Sequence, residues 1–267
     1  MWRGQSMDSL KSQQKGFSLI ELMLAMTLSL FMIAGLFISV IGDLKSYESV
    51  RATEQLVNKS QMSLKSLRLY LTQAGFRDIE NLMIQRELAE VSASSATGLS
   101  WSEDQSLQGL NAITSGSFSG AKATSDVIAL RFIGVTSGSL STSNSNVINC
   151  EGNPVTDDDY EIALYVSDTN DLVCLDDNGE TILDDNVEHM HIKYALEDGY
   201  KYYDADDSEI DDWSTVDRVK IAILLSQNVT ANYVANSNSY KLFDRTISAA
   251  NDTNFRLVTT ETVLIRN

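Results

Sequence analysis

The sequence predicts an α+β protein in which one long N-terminal helix packs on an antiparallel β-sheet domain. Three observations predict this class. An apolar run near the N-terminus is followed without a break by an apolar stripe at helical spacing, and the second half of the chain holds β-branched segments bounded by Asn, Asp, Gly and Ser. The chain has 267 residues, 43% of them hydrophobic, which is enough to form a substantial core and excludes wholesale disorder.

The apolar run extends from Gly16 to Gly42, and Glu21 is its one charged residue. As a helix rising about 1.5 Å per residue it would be roughly 40 Å long, which exceeds the ~30 Å hydrocarbon core of a bilayer. A cleaved secretory signal would have an apolar core of only ~7–15 residues and a small-x-small cleavage site, so a membrane-spanning helix is favoured. The leader before the run is net basic, which keeps the N-terminus in the cytoplasm and directs the rest of the chain outward. Its charged residues are Arg3, Lys11, Lys15 and Asp8.

Glu21 is unusual because an unpaired carboxylate inside a spanning helix is energetically costly and by default marks function. It lies four residues after Phe17, so a cut between Gly16 and Phe17 would create an α-amino group one helical turn from the carboxylate. A neighbouring subunit displaced along the helix axis could then pair its amine with Glu21 and neutralise both charges. The alternative is that Glu21 lies near the membrane interface and is simply solvated.

The segment Lys15–Leu22 resembles the class III signal of type IV prepilins. The shared features are a basic leader ending in Gly, a Phe at the new N-terminus, a Glu at the fifth mature position and then an unbroken apolar helix. This resemblance implies that a prepilin peptidase cleaves after Gly16 and methylates the amine of Phe17. It also implies that Glu21 sets the register of the subunit in a helical filament or at its tip.

The helical pattern continues beyond the apolar run, and Gly75 is typical of a helix C-terminus, so we expect one helix from Phe17 to Ala74. The apolar positions of this second half recur at spacings of three, four and seven, which indicates an amphipathic helix. They are Leu44, Tyr47, Val50, Val57, Leu64, Leu67, Leu71 and Ala74. A free coiled coil is the alternative, which the Ser, Thr and Gln content disfavours.

These observations divide the chain into four parts. We expect a leader peptide at residues 1–16, a transmembrane or filament-core helix at 17–42, its amphipathic continuation at 43–75 and an exported globular β-rich domain at 76–267.

The charge of the chain is divided unevenly between its two ends. The whole sequence has 20 Lys+Arg and 37 Asp+Glu, a net charge of −17. Residues 1–70 hold eight basic and five acidic residues, net +3, which leaves twelve basic and thirty-two acidic residues, net −20, for the rest. The predicted exported domain therefore carries the entire acidic excess, which suits a solvated surface and excludes direct binding to nucleic acid.

The exported domain is predicted to be a mainly antiparallel sheet, because its strand candidates follow one another without helical periodicity between them. Residues 92–146 are mostly loop-like, and a low-complexity loop is expected at 134–149. The strand candidates are Asp126–Ile133, Tyr160–Val166, Val187–Leu196, Val216–Leu225 and Leu257–Arg266.

Cys150 and Cys174 are the two cysteines of the chain, and they flank the second strand candidate. In a compartment reached by export, one disulfide between them is the simplest interpretation. Two free buried thiols are the alternative.

Four short segments of the exported domain resemble the PilW-type minor pilins of type IV pili. They are Asn149–Gly152, Asp171–Cys174, Val187–Met190 and Val263–Asn267. The chain departs from major pilins because it is longer and its spanning helix lacks Pro, and both departures favour a minor subunit. The resemblance implies a pilin-like fold and a structural role in priming and capping a pilus. The implied partners are other minor pilins, the major pilin, the pilus assembly platform and the prepilin peptidase.

Candidate chemistry in the exported domain is weak. His189 and His191 would share one strand face with Lys193, and the neighbouring cation with no obvious third ligand favours a solvated face over a metal pair. Asp204, Asp206 and Asp212 are weak Ca²⁺ candidates, because their loop lacks the Gly and Glu that calcium loops carry at the sixth and twelfth places. We therefore expect no metal or other cofactor.

No enzymatic motif is found in the sequence. Together with the resemblance, this predicts a non-enzymatic minor pilin. Before assembly it would be held in the bacterial inner membrane by a single pass, with its C-terminal domain in the periplasm. After assembly it would be located in the pilus, at its tip. The alternatives are a pseudopilin of a type II secretion system, a pilus-tip adhesin or binding module, and a single-pass membrane enzyme for which no catalytic constellation is found.

Overall fold

The computed structural model describes residues 16–111, 118–136, 147–156, 158–197, 199–228 and 238–265. It confirms the α+β class, with helices at the N-terminal end and antiparallel strands after them. Two compact units divide at Glu48 and Ser49. The first fifteen residues, which hold the charges of the predicted leader, and residues 137–146 of the predicted low-complexity loop lie outside the described part of the chain.

Helix α1 spans Leu19–Leu71 and contributes to both units. In the second unit its buried residues recur at helical spacing, because one side of the helix covers the sheets: Ala52, Leu56, Ser60, Ser63, Leu64, Leu67, Tyr70 and Leu71. The helix ends three residues before the predicted Ala74, and a turn over residues 72–75 follows. Gly75 ends this turn with φ +69°, and its N–H donates to the carbonyl oxygen of Arg131 at 2.9 Å. The glycine is therefore the stop that the sequence predicts, although the last turn before it is no longer α-helical.

The described part of the second unit continues with a short helix α2, Ile79–Met83, and ten strands. The strands are β1 (Leu107–Leu110), β2 (Val127–Ile133), β3 (Asp159–Val166), β4 (Leu172–Asp176), β5 (Gly179–Asp184), β6 (Val187–Leu196), β7 (Val216–Gln227), β8 (Ser239–Leu242), β9 (Arg245–Ser248) and β10 (Phe255–Leu264). A single 3₁₀ turn, Trp213–Thr215, precedes β7.

The strands form three antiparallel sheets among the described residues, rather than the one sheet that the sequence predicts. The first has the order β1-β2-β3-β4-β5, the second β10-β7-β6 and the third is the hairpin β8-β9. Each of the five predicted strands is present, and each of its ends lies within two residues of the predicted position. Strands β1, β4, β5, β8 and β9 are additional to the prediction, because they are short and lack a long β-branched run.

The main core lies where α1 and the two larger sheets meet. It joins Leu64, Leu67 and Leu71 of the helix to apolar residues of β2, β3, β6 and β7, such as Ile128 and Ile221. Gly109 of β1 marks how closely the two sheets approach, since a Cβ atom there would lie 2.1 Å from Tyr194 Oη of β6. A smaller cluster covers the other side of β7 with the β8-β9 hairpin. Strands β6 and β7 are thus covered on both faces.

Candidate functional site

The predicted processing site lies directly before α1. Gly16, Phe17 and Ser18 precede the first helical residue, and the Phe17 side chain is 88% exposed. A Cβ atom placed on Gly16 would have no neighbour within 4 Å. The peptide bond between Gly16 and Phe17 is therefore uncovered by the described residues.

Glu21 caps the first turn of α1. The Ser18 N–H donates to Glu21 Oε2 at 3.2 Å, and the Leu22 N–H donates to the Ser18 carbonyl oxygen at 3.1 Å. This is the glutamate half of a capping box, in which a carboxylate satisfies a backbone donor that the helix leaves free. Glu21 thus holds a structural role within the chain that sequence reasoning did not foresee, although the Ser-x-x-Glu spacing signals it. The carboxylate is also exposed, so a further donor can reach it.

The first unit presents a long apolar surface after Glu21. Every large apolar side chain from Leu19 to Leu44 is at least half exposed, and α1 is the described helix whose length and composition suit a membrane crossing. The hydroxyls of Thr27 and Ser29 donate to the carbonyl oxygens of Leu24 and Met26, so these two polar groups are satisfied inside the helix. Such a surface is stable only when lipid or other apolar helices cover it, and it therefore suits membrane anchoring.

A disulfide joins Cys150 to Cys174 in the second unit, with Cα atoms 5.6 Å apart. The surrounding polar groups fix this corner to α1 and to the first sheet. The Cys150 N–H donates to Asp176 Oδ2 at 2.9 Å, and the Tyr70 hydroxyl donates to the Cys150 carbonyl oxygen at 3.2 Å. The Tyr160 hydroxyl also donates to Asp176, and burial together with this hydrogen bond raises the Tyr160 pKa well above its usual range.

Ion pairs at the side of α1 fasten the helix to the sheets. Lys59 contacts Asp184 at the end of β5 and Asp185 of the β5–β6 connection, and the Ser63 hydroxyl donates to Asp184. Further along the helix, Arg68 pairs with Glu261 of β10. These contacts set the rotation of the helix on the domain, since they lie on either side of its apolar stripe.

The prediction that His189, His191 and Lys193 share a solvated strand face is wrong for His191. His191 is 1% exposed, because Asp126 at the start of β2 and the β8-β9 hairpin cover this face of β6. The opposite face carries Met190, Ile192 and Tyr194 into the main core, as predicted. His189 remains partly exposed, and burial together with the nearby Lys122 ammonium lowers its pKa to about 4.

His191 lies among carboxylates from three separate parts of the chain. Its Nδ1 is 2.6 Å from Asp126 Oδ2, and its Nε2 is 3.2 Å from Asp244 Oδ1 and 3.6 Å from Asp204 Oδ1. Lys193 Nζ lies 2.8 Å from Asp244 Oδ2. Burial alone would raise the pKa of Asp244, but hydrogen bonds from Lys193 and His191 lower it to about 2.

The three calcium candidates do not form one site among the described residues. Asp206 accepts from Asn111 Nδ2 at 2.7 Å, and Asp212 caps the 3₁₀ turn by accepting from the Ser214 N–H at 2.9 Å. Asp204 instead faces His191, and the group of potential metal ligands that the described side chains form consists of His191, Asp204 and Asp244. The carboxylates of the acidic loop are therefore used separately.

Comparisons with known proteins match both ends of the chain. The model of the family "Type IV Pilus-assembly protein W" matches residues 155–267, and that of the prokaryotic N-terminal methylation motif matches residues 11–37. No protein of curated function matches the chain. Among solved structures, the chain is similar to a type IV-like pilin from Thermus thermophilus at 13% identity and a TM-score of 0.44, over 79% of this chain and 95% of that chain.

The two family matches coincide with the two features that the structure separates. The methylation motif covers Gly16, Phe17 and Glu21 at the start of α1, and the pilus-assembly match covers strands β3 to β10. These matches agree with the resemblance found in the sequence: residues 11–37 are similar to the prokaryotic N-terminal methylation motif, and residues 155–267 are similar to the type IV pilus-assembly protein W family.

Proposed function

We propose that this chain is a minor pilin, a structural subunit of the complex that primes type IV pilus assembly and then caps the pilus tip. The observation that carries the proposal is the exposed apolar surface of α1 together with the carboxylate of Glu21 at its start. An apolar helix whose large side chains are exposed is suited to packing against other helices of the same kind. A catalytic role would need a reactive constellation, and the function proposed here needs none.

Glu21 would supply the electrostatic part of this packing. After a cut behind Gly16, the α-amino group of Phe17 would carry a positive charge close to the carboxylate of a neighbouring subunit. Away from water an unpaired charge is costly, whereas a pair of opposite charges in contact is strongly stabilised. The axial displacement between two subunits that brings the amine of one to the carboxylate of the other is therefore favoured over other displacements. The hydrogen bond from the Ser18 N–H to Glu21 would remain in the shortened chain and would hold the carboxylate in place.

The proposal places the chain in the inner membrane before assembly. A prepilin peptidase would remove residues 1–16 and methylate Phe17, the N-terminus would face the cytoplasm and the second unit would fold in the periplasm. A periplasmic location is supported by the Cys150–Cys174 disulfide, which forms and persists in oxidising compartments. The partners would be other minor pilins, the major pilin and the pilus assembly platform.

Replacing Glu21 tests the proposal. We expect Glu21→Ala to leave the amount of membrane-inserted protein unchanged and to reduce the number of sheared pili several-fold, because the amine of the neighbour loses its partner. Glu48→Ala is the matched control, since Glu48 is exposed on the same helix outside the apolar run. Electron microscopy counts the pili, and immunoblotting of membranes measures the subunit.

Two outcomes would contradict the proposal. Normal piliation in the Glu21→Ala strain would show that the carboxylate does not direct assembly. Normal piliation combined with loss of exoprotein release, in a strain lacking the chain, would instead assign it to a type II secretion system.

A further inference from the structure

We propose that His191, Asp204 and Asp244 form a binding site for a divalent transition cation, and that Zn²⁺ is the ion their chemistry fits best. One nitrogen and two carboxylate oxygens from these residues lie within 4.8 Å of one another, and the imidazole is buried. The site belongs to the second unit and is independent of the processing segment.

The imidazole is held as metal-binding histidines are held. Asp126, which is 2% exposed, accepts from the Ile192 N–H at 2.8 Å and from Arg245 Nη1 at 2.8 Å, so it is fixed as a carboxylate. Its Oδ2 lies 2.6 Å from His191 Nδ1. Because an ionised carboxylate can only accept, Nδ1 donates to Asp126, and Nε2 is the ring atom that faces the two other carboxylates and could bind a cation in place of a proton. This carboxylate–histidine pair is the outer-shell arrangement that orients metal ligands.

The distances between the donor atoms suit a tetrahedral ion. Ligand atoms at 2.0–2.1 Å from Zn²⁺ are about 3.4 Å apart along a tetrahedral edge. His191 Nε2 is 3.2 Å from Asp244 Oδ1 and 3.6 Å from Asp204 Oδ1, so both separations lie close to that value. Small rotations of two side chains are then enough to surround an ion, and water would supply the fourth ligand.

Asp204 provides a second, independent observation. Its Oδ1 is a buried atom that accepts no hydrogen bond of good geometry within the described part of the chain. Lys193 Nζ lies 3.1 Å from this oxygen as an ion-pair neighbour. A buried carboxylate oxygen is costly unless a positive group lies against it, and a cation that displaced the Lys193 ammonium would take over that role. Asp204 Oδ1 lies 3.6 Å from His191 Nε2, so one ion could contact both atoms.

Lys193 is the positive group that lies against the two carboxylates of the proposed site. Its Nζ contacts Asp204 and Asp244, whereas Asp126 is balanced by Arg245. A divalent ion would balance Asp204 and Asp244 alone, and the long side chain of Lys193 would then move to solvent. Lysine and metal are therefore competitors for the same two carboxylates.

The donor set discriminates between ions. Calcium takes six to eight oxygen ligands, and magnesium keeps an octahedral shell of oxygens, so neither fits one buried nitrogen and two carboxylates. Imidazole with carboxylate ligands suits zinc and its neighbours among the transition metals. The three ligands come from β6, from the loop after it and from the turn of the β8-β9 hairpin. Bound metal would consequently tie the hairpin to the sheet and raise the melting temperature of the second unit.

Titration of the full chain in detergent with ZnCl₂ tests the proposal, with CaCl₂ and MgCl₂ as comparison ions. Calorimetry gives stoichiometry and affinity, and thermal unfolding gives the shift in Tm. We expect one Zn²⁺ per chain and a higher Tm with zinc than with either comparison ion. Asp244→Asn should weaken zinc binding by more than about tenfold, since even outer-shell changes cost about 10–100-fold. Its side chain is 65% exposed in a turn, so this variant keeps the fold.

Two further variants complete the design. Lys193→Met should bind zinc more tightly than the unaltered chain, because it removes the competing ammonium, whereas a purely structural ion-pair network would not predict any gain. Asp206→Asn is the control, because Asp206 belongs to the same acidic loop and contacts Asn111 instead. Absence of zinc binding, binding that Asp244→Asn retains in full, or weaker binding in Lys193→Met would each overturn the proposal.

Discussion

Leu67 offers the sharpest test of how α1 packs against the sheets of the second unit. Its side chain is fully buried in the main core beside Leu64 and Leu71. Truncation to Ala removes three carbon atoms and leaves a cavity that the two sheets cannot close, which costs about 3 kcal/mol of unfolding free energy within a range of roughly 2–5 kcal/mol. In a domain of this size each kcal/mol lowers Tm by roughly 2–4 °C, so Leu67→Ala should lower it by about 6–12 °C.

Leu69 is the matched control, because it is the same residue type two positions further along the helix and is 47% exposed. Leu69→Ala should change the unfolding free energy by no more than about 0.5 kcal/mol. Near-UV circular dichroism of the full chain in detergent follows the tertiary packing of the second unit during heating. Equal losses of Tm in the two variants would refute the packing of α1 described above, and so would a loss below about 2 °C in Leu67→Ala.

Two further predictions concern the second unit. Removal of the disulfide by Cys150→Ala with Cys174→Ala should lower the free energy of unfolding by about 3.5 kcal/mol, because the bond closes a loop over a sequence separation of 24 residues. Urea unfolding measures this loss. A reductant should destabilise the unaltered chain and leave the double variant unaffected. The Arg256 guanidinium lowers the pKa of Asp252 below its usual range, so this pair stabilises the fold above about pH 4 and the contribution disappears as the pH falls through the lowered pKa. Asp252→Asn should therefore flatten the acid limb of the stability profile, whereas the exposed control Asp211→Asn should leave it unchanged.

The long elements of this fold could be predicted from the sequence because their patterns are local. The apolar run and the stripe that follows it predict α1 to within three residues of its C-terminus, and five β-branched runs predict the five longest strands. The hairpin β4-β5 carries its signal in the turn, where Asp177, Asn178 and Gly179 precede a short alternating segment. The β8-β9 hairpin has no such signal, since its turn places Phe243 at φ +56°, a conformation that is uncommon for an aromatic residue.

The histidine cluster could not be predicted in the same way. Alternation along β6 places His191 and Lys193 on one face, but it does not say what lies opposite that face. Asp126, Asp204 and Asp244 come from distant parts of the sequence, and the tertiary packing of the β8-β9 hairpin brings the last of them over the strand. Burial of His191 is therefore a consequence of topology, whereas the processing motif at Gly16, Phe17 and Glu21 is contiguous and can be read directly.

Glu21 has one role in the structure and a second role in our proposal. Within the chain it caps the first turn of α1 by accepting from Ser18, and in an assembled filament we propose that it accepts the amine of a neighbour. The capping contact does not prevent the proposed pairing, because a carboxylate has two oxygens and about four lone pairs and can accept several hydrogen bonds. Substitution by Ala removes both contacts, whereas Glu21→Gln keeps the acceptor oxygen and removes the charge. We therefore expect Glu21→Gln to fail in assembly as well, since charge neutralisation is the proposed driving force.

Mass spectrometry of the N-terminus of the protein purified from its native membrane tests the central claim most directly. The account predicts that residues 1–16 are absent and that the chain begins with an N-methylated Phe17. A chain that is fully exported yet still begins with Met1 would contradict it, because the amine that Glu21 is proposed to receive would then not exist.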